Sequence, residues 1–97
     1  MQSLVASPEI KFVSPYFVLL CRATSDHRLS ILTGKKLGNA VRRNRIRRRL
    51  KEAYRLTEGF PVGEYAILGR IPSLTVPFQV LSEQMRAAQA RLSKLKA

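Results

Sequence analysis

Cationic side chains that could bind phosphate are concentrated in residues 35–55 of this chain, KKLGNAVRRNRIRRRLKEAYR. This segment holds 10 of the 18 Lys and Arg residues and a single acid, Glu52. Arginine presents a planar fork of N–H donors that grips phosphate and stacks on bases. Because solvated helices usually mix charges of both signs, this imbalance favours a surface that binds a polyanion over a solvated charged face.

The overall charge indicates the same kind of partner. The net charge is +12 and the isoelectric point is about 11.2, as expected for a protein that binds nucleic acid or an anionic membrane surface. The 97 residues predict one domain with its own core. Cys21 is the only cysteine and lies in an apolar run, which predicts a core residue in a reducing cytoplasm. We expect no membrane span and no secretory signal.

No arrangement of residues predicts catalysis by the protein itself. The six acids show no spacing typical of paired carboxylates, and HExxH, CxxC and nucleophile-elbow motifs are absent from the sequence. His27, the only histidine, has no neighbouring ligands in the sequence that would suggest a metal site. The GKKLGN segment at residues 34–39 lacks the phosphate-loop pattern of nucleotide hydrolases. Binding is therefore the predicted activity.

A helix over residues 40–56 must position the cationic side chains. Asn39 is a good N-cap, and Gly38 ends the preceding segment. At about 100° per residue, one face of this helix is mostly apolar and the opposite face is mostly basic. The first face carries Ile46, Leu50, Ala53, Tyr54 and Thr57, and the second carries Arg45, Arg48, Lys51, Glu52 and Arg55.

Three strands and a second helix are predicted around it. Residues 16–21 form the first strand, with residues 10–13 as an extension before Pro15, and residues 29–33 form a second strand antiparallel to it. Residues 65–70 form a third strand, parallel to the second across the basic helix, which indicates an α/β or α+β fold. Pro77 starts the last helix, and residues 1–9 are expected to be irregular. The apolar stripe of this last helix consists of Phe78, Leu81, Met85, Ala88, Leu92 and Leu95.

Residues 34–55 closely resemble the signature of the bacterial ribonuclease P protein component. That pattern runs from a small hydroxyl residue through KK-x-G-N-A-V-x-R-N-R to a basic stretch that ends in Glu. It is matched by Lys35, Lys36, Gly38, Asn39, Ala40, Val41, Arg43, Asn44, Arg45, Arg47, Arg48, Leu50, Lys51 and Glu52. The flanking YFVLL, RLSILTGKK and GEYAILGR segments resemble the strands of that family.

The resemblance implies an α+β fold, a two-layer α/β sandwich like a domain of ribosomal protein S5, with a small mixed sheet and a left-handed strand-helix-strand crossover. The function that it implies is that of a ribonuclease P subunit, which binds the catalytic RNA and the 5′ leader of precursor tRNA. In such an enzyme the hydrolytic centre and its Mg²⁺ belong to the RNA, and the protein binds no metal and no small-molecule substrate. The cytoplasm is the expected compartment.

Site residues follow from the same resemblance. From the residues alone, core packing of Phe17 is favoured over stacking on an unpaired base, whereas the resemblance would place Phe17 on the first strand facing the leader. Arg43 lies near the apolar side of the helical wheel, so that it would reach RNA from the first turn. The residues expected to bind RNA are Lys35, Lys36, Asn39, Arg42, Arg43, Asn44, Arg45, Arg47, Arg48 and Lys51.

Two departures from the family pattern are visible. Gly34 stands where the family usually has a small hydroxyl residue. The family generally begins with an arginine-bearing amphipathic helix, and residues 1–9 are too short and proline-broken to form it. A ribosomal or ribosome-assembly protein that binds RNA without aiding cleavage is the alternative function. Attachment to a membrane surface through the basic helix is a more distant one.

Overall fold

A computed structural model describes residues 10–96, with side chains as far as residue 93. Four strands form one mixed sheet in the order β1-β2-β4-β3, and two helices pack on it. The predicted α+β class is therefore confirmed. The elements are β1 Ile10–Val13, β2 Phe17–Arg22, β3 Arg28–Leu32, α1 Ala40–Arg55, β4 Glu64–Gly69 and α2 Phe78–Lys96. The expectations for residues 1–9 concern a part of the chain outside the described residues.

β1 is a separate strand rather than an extension of β2. It pairs antiparallel with β2, from Ile10 opposite Cys21 to Val13 opposite Val18. The buried Ser14 closes the turn, since its Oγ accepts from the backbone N–H of Tyr16 at 3.0 Å. Pro15 lies at the exposed tip of this hairpin, where its missing N–H costs nothing. The predicted extension was wrong because Pro15 reverses the chain instead of interrupting a continuing ladder.

β3 does not pair with β2, which corrects the predicted antiparallel pair. β4 lies between them, antiparallel to β2 and parallel to β3. Residues 64–67 of β4 are buried, whereas both end residues of β3, Arg28 and Leu32, are exposed. The more apolar strand takes the central position, where both of its edges are paired with neighbouring strands. The predicted parallel pairing of the two strands that flank the basic helix is confirmed.

The core lies between one face of the sheet and both helices. Strands β2 and β4 contribute Phe17, Leu19, Cys21, Tyr65 and Ile67 to it, α1 contributes Ile46, Leu50 and Ala53, and α2 contributes Leu81, Met85, Ala88 and Leu92. These residues confirm the apolar faces predicted for both helices, except that Leu95 lies outside the described side chains. No helix in residues 10–96 is long and apolar enough to cross a membrane.

α1 packs directly against the backbone of β4 at a glycine, Gly69. A Cβ at Gly69 would lie 2.7 Å from Cγ2 of Ile46 and 3.2 Å from Cδ1 of Leu50. No side chain larger than hydrogen fits between the strand and the helix at this point without moving one of them. The absence of a side chain at Gly69 therefore sets the distance between α1 and β4. The same distance sets how far the basic side of α1 lies from the sheet.

Candidate nucleic-acid interface

The entry into α1 places two lysines beside free helical amides. Residues Lys35–Leu37 form a 3-10 turn whose Leu37 is buried, so that Lys35 and Lys36 remain in solvent. Gly38 has a φ of 111°, a conformation that side chains other than glycine rarely adopt. Asn39 then caps the helix, since its Oδ1 accepts from the backbone N–H of Arg42 at 3.0 Å. The predicted cap and helix start are both confirmed.

Four cations on α1 point to solvent with no partner among the described residues. They are Arg42, Arg45, Arg48 and Lys51, which we call the basic face. Arg42 and Arg45 also line a groove of about 420 Å³ between α1 and the turn that precedes α2, with Leu74 and Thr75 on its other side. Unpaired side chains of one sign along a helix and a groove can neutralise successive phosphates of a nucleic acid.

The charge at the start of α1 opposes the stability of the helix. The first turn contains no acid, and it carries Arg42 and Arg43 close to the positive end of the helix dipole. Cations there are unfavourable, whereas an anion bound at the same end is stabilised by the amides and the dipole together. The arrangement is thus better suited to a phosphate-bound state than to the free protein.

Arg47 is hydrogen-bonded to Asn44, which lies one turn earlier in α1, and to Thr33, which follows β3. Arg47 donates from Nη1 to Oδ1 of Asn44 at 2.9 Å and from Nη2 to Oγ1 of Thr33 at 2.8 Å. Both residues stay exposed. The hydrogen bonds to Thr33 and Asn44 favour one direction of the Arg47 guanidinium, so that less side-chain entropy would be lost if it bound an anion.

Arg43 occupies the boundary between the basic side and the core. The residue is half-buried, and its Nε is buried without a hydrogen-bond partner among residues 10–96. A buried N–H donor without an acceptor costs free energy, and an incoming phosphate oxygen would supply that acceptor. The structure agrees with the helical wheel, which placed Arg43 beside the apolar face.

Two further arginines of α1 are occupied within the protein. Arg49 donates from Nε to the carbonyl oxygen of Ser73 at 2.9 Å and from Nη2 to that of Val76, and so ties α1 to the segment before α2. Arg55 donates from Nε and Nη2 to the two carboxylate oxygens of Glu52. The hydrogen bond from Arg55 lowers the pKa of Glu52, and the carboxylate raises the pKa of Arg55. Their charges largely cancel in place.

Phe17 is not available to RNA, and the prediction that it binds the leader was wrong. Its side chain is 0% exposed and belongs to the core between the sheet and the helices. Its ring lies 6.1 Å from that of Phe12, centroid to centroid. Because side chains alternate along a strand, Phe17 could lie on either face of the sheet. In the structure it lies on the face that the helices cover, which is the buried one.

A group of aromatic residues at the other end of α1 was not predicted as a site. Tyr54 and Phe60 stack with centroids 4.5 Å apart, and Tyr65 meets Phe60 edge-on at 5.5 Å. Burial raises the pKa of Tyr54 to about 12. Nothing local to the sequence links these residues, because Phe60 lies in a loop and Tyr65 on a strand. The only available signal was an aromatic residue in an otherwise small and polar loop, residues 57–64.

Within the part of the chain that the structure describes, no three His, Cys, Asp or Glu side chains lie together in a way that could hold a metal ion. The sole histidine is bonded within the protein, since Nε2 of His27 lies 2.7 Å from the hydroxyl oxygen of Tyr54.

A two-layer α+β fold that exposes a row of unpaired cations along one helix defines a nucleic-acid-binding protein. The family model of ribonuclease P matches residues 2–93. The ribonuclease P protein component of Nitratiruptor is 33% identical over 88 residues, which cover 90% of this chain and 81% of that protein. The chain therefore belongs to the ribonuclease P protein family, the protein subunits of an endoribonuclease complex, as the residue 34–55 segment predicted.

Other relatives agree in part of their length. The ribonuclease P protein component of Brucella suis is 48% identical over 66 residues, and the match covers 64% of this chain and about half, 47%, of that protein. The solved ribonuclease P protein of Thermotoga maritima superimposes with a TM-score of 0.78 at 26% identity, covering 93% of this chain and 88% of that one. The predicted fold relationship is thus supported over almost the whole chain.

Proposed function

We propose that this protein joins the catalytic RNA of ribonuclease P and helps to hold precursor tRNA by its 5′ leader, and that it thereby supports hydrolysis that releases the mature tRNA 5′ end. The observation that carries the proposal is the basic face of α1, whose four cations have no protein partner among the described residues. Membership of the family supports the catalytic RNA of ribonuclease P as the partner. The compartment proposed is the cytoplasm, where tRNA precursors are processed in bacteria.

The proposed contribution of the protein is electrostatic positioning. Bringing two RNA molecules together is opposed by repulsion between their phosphates, and each Lys or Arg that contacts a phosphate releases condensed counterions. Arg42, Arg45, Arg48 and Lys51 would do so along α1, and Lys35 and Lys36 beside its first turn. Mg²⁺ and the reacting water are assigned to the RNA. The proposal gives the protein the role of lowering the Mg²⁺ concentration that the RNA requires.

Binding and orientation are divided between different residues of α1. Arg47 is already hydrogen-bonded to Asn44 and to Thr33, and Arg43 has a buried donor that lacks an acceptor among the described residues. Hydrogen bonds from pre-oriented groups define the position of an RNA backbone more narrowly than flexible lysines do. We assign docking register to Arg43, Asn44 and Arg47, and long-range attraction to the basic face. No residue is assigned to the leader, since Phe17 is enclosed in the core.

The proposal is tested by cleavage of a precursor tRNA by a bacterial ribonuclease P RNA at low Mg²⁺, with and without the protein. We expect a large increase in rate with the protein. An unchanged rate combined with tight RNA binding would support binding to the catalytic RNA but contradict the proposed support of cleavage. Absence of binding to the catalytic RNA would instead favour the ribosomal alternative, which binding to ribosomal RNA would then support.

The role of the basic face is tested by Arg45→Ala together with Arg48→Ala. The slope of log Kd against log salt concentration should become shallower by roughly 0.7 to 0.9 per lost phosphate contact. The matched control removes the same charge from α2 through Arg86→Ala and Arg91→Ala, two exposed residues on the other helix. An unchanged slope for the α1 variant, or an equal change in the control, would remove Arg45 and Arg48 from the interface.

A further inference from the structure

A second cavity lies at the C-terminal end of α1, on the side where β3 begins. Its volume is about 450 Å³, within the range of sites that take small organic groups. We call it the aromatic pocket. Its lining consists of His27, Leu29, Lys51, Tyr54, Arg55, Thr57 and Phe60. It therefore combines ring faces, an aliphatic wall and two cations in one cavity.

The rings of the aromatic pocket are held rigidly. Tyr54 and Phe60 stack with an interplanar angle of 23°, and both are half-buried rather than enclosed. The buried Tyr65 supports both Phe60 and His27 from below, with centroids 5.5 Å and 5.3 Å away. Rigid aromatic side chains offer contact area for a planar ligand at little cost in conformational entropy. Their partial exposure leaves apolar surface that a base could cover.

The pocket also presents a defined polar edge. The backbone N–H of Gly63 donates to Nδ1 of His27 at 3.4 Å, which fits the tautomer that carries its hydrogen on Nε2. Nε2 then donates to the hydroxyl oxygen of Tyr54, 2.7 Å away. The hydroxyl hydrogen of Tyr54 is thereby left to donate elsewhere. A ligand that stacks in the pocket and carries an acceptor on its edge would satisfy it.

The cations of the pocket are not equivalent. Arg55 is bonded to Glu52 through two hydrogen bonds, whereas Lys51 has no hydrogen bond or ion pair among the described residues. Lys51 lies three residues after Arg48 and continues the basic face by one turn of helix. A backbone that follows Arg45 and Arg48 along α1 therefore arrives at Lys51 with its next groups beside the aromatic pocket.

We propose that the aromatic pocket binds one unpaired nucleotide of RNA, with the base against Tyr54 and Phe60 and its phosphate at Lys51. This inference rests on the proposed function for the identity of the RNA and extends it to a site away from the start of α1. Stacking tolerates every base because each has a π face, so that the pocket selects for an unpaired nucleotide rather than for a sequence.

The location is tested by ultraviolet crosslinking and mass spectrometry of the intact protein in complex with a bacterial ribonuclease P RNA, alone and with precursor tRNA added. Trypsin releases Tyr54 in peptide 52–55 and Phe60 in peptide 56–70. A nucleotide crosslinked to either peptide in the first complex supports catalytic RNA as its source. A crosslink that appears only after precursor tRNA is added supports precursor tRNA as the source of the nucleotide. No crosslink on either peptide in both complexes would contradict the proposal.

The energetic contribution is tested by Phe60→Leu, which keeps an apolar side chain but removes the stacking surface. Loss of one stacked base should weaken RNA binding roughly tenfold and leave the salt slope unchanged, since no phosphate contact is lost. Phe78→Leu is the matched control, because Phe78 is also half-buried against the core but lies at the start of α2. Thermal melts of both variants establish that each is folded at the assay temperature.

The outcomes separate this inference from the function on which it rests. Equal affinity of the Phe60→Leu variant and the native protein, or an equal loss in the Phe78→Leu variant, would overturn the aromatic pocket while the basic face still binds RNA. Lys51→Gln should make the salt slope shallower by roughly 0.7 to 0.9, and an unchanged slope would contradict the phosphate contact. If the native protein does not bind the catalytic RNA, the proposed function fails first.

Discussion

Arg48 and Arg49 are adjacent in the sequence and should respond oppositely to the same substitution. Arg49 is half-buried and donates to the carbonyl oxygens of Ser73 and Val76, whereas Arg48 is exposed on the basic face. Arg49→Gln removes both hydrogen bonds and leaves two carbonyl groups with fewer donors. Arg48→Gln removes a charge and no hydrogen bond or ion pair among the described residues.

The size of the effect follows from the contacts. A hydrogen bond from a charged group contributes about 1.5 to 3 kcal/mol to stability, and partial exposure of Arg49 places the expected loss for both together near 2 kcal/mol. For a domain of this size each kcal/mol shifts the melting temperature by about 4 to 8 °C, so that Arg49→Gln should melt roughly 10 °C lower. Arg48→Gln should remain within about 0.5 kcal/mol of the native protein.

RNA binding should be affected in the opposite order, with the larger change in the Arg48→Gln variant. At a temperature where both are folded, Arg48→Gln should make the slope of log Kd against log salt concentration shallower by roughly 0.7 to 0.9, and Arg49→Gln should leave it unchanged. Thermal melts followed by circular dichroism and filter-binding titrations in several salt concentrations provide both readouts. The reasoning is refuted if Arg49→Gln melts with the native protein, or if its salt slope changes as much as that of Arg48→Gln.

Two further predictions concern the core and the aromatic pocket. Gly69→Ala should destabilise the fold by about 1 to 3 kcal/mol, because the new methyl group would meet Ile46 at 2.7 Å. Gly34→Ala, whose methyl group meets nothing within 4 Å, is the control in urea unfolding, and equal stability of both variants would contradict the close contact. The pKa of Tyr54 is raised from 10.0 to about 12, so that its contribution to stability is complete below pH 10 and is lost as the pH rises towards 12. Tyr54→Phe should reduce the loss of stability over that interval, and an identical pH dependence in the variant and the native protein would contradict the raised pKa of Tyr54.

The sequence by itself determined both helices, three of the four strands and the chemistry of the interface. Asn39 as a cap and the 3.6-residue period of apolar side chains located α1 to within one residue of its observed end at Arg55. These signals are local, since a cap and a helical face are set by neighbours within a few residues. The cationic segment at residues 34–55 likewise indicated RNA and the ribonuclease P protein family before any contact was known.

The tertiary structure decided which strands are neighbours and which cations are free. The insertion of β4 between β2 and β3, and the enclosure of Phe17, depend on competition among strands for central positions, which no single segment encodes. Arg48 and Arg49 have the same chemistry and adjacent positions, and only the carbonyl groups of Ser73 and Val76, more than 20 residues away in the chain, distinguish them. The aromatic pocket could not be predicted from the sequence for the same physical reason. Its rings come from a turn, a helix and a loop that only packing brings together.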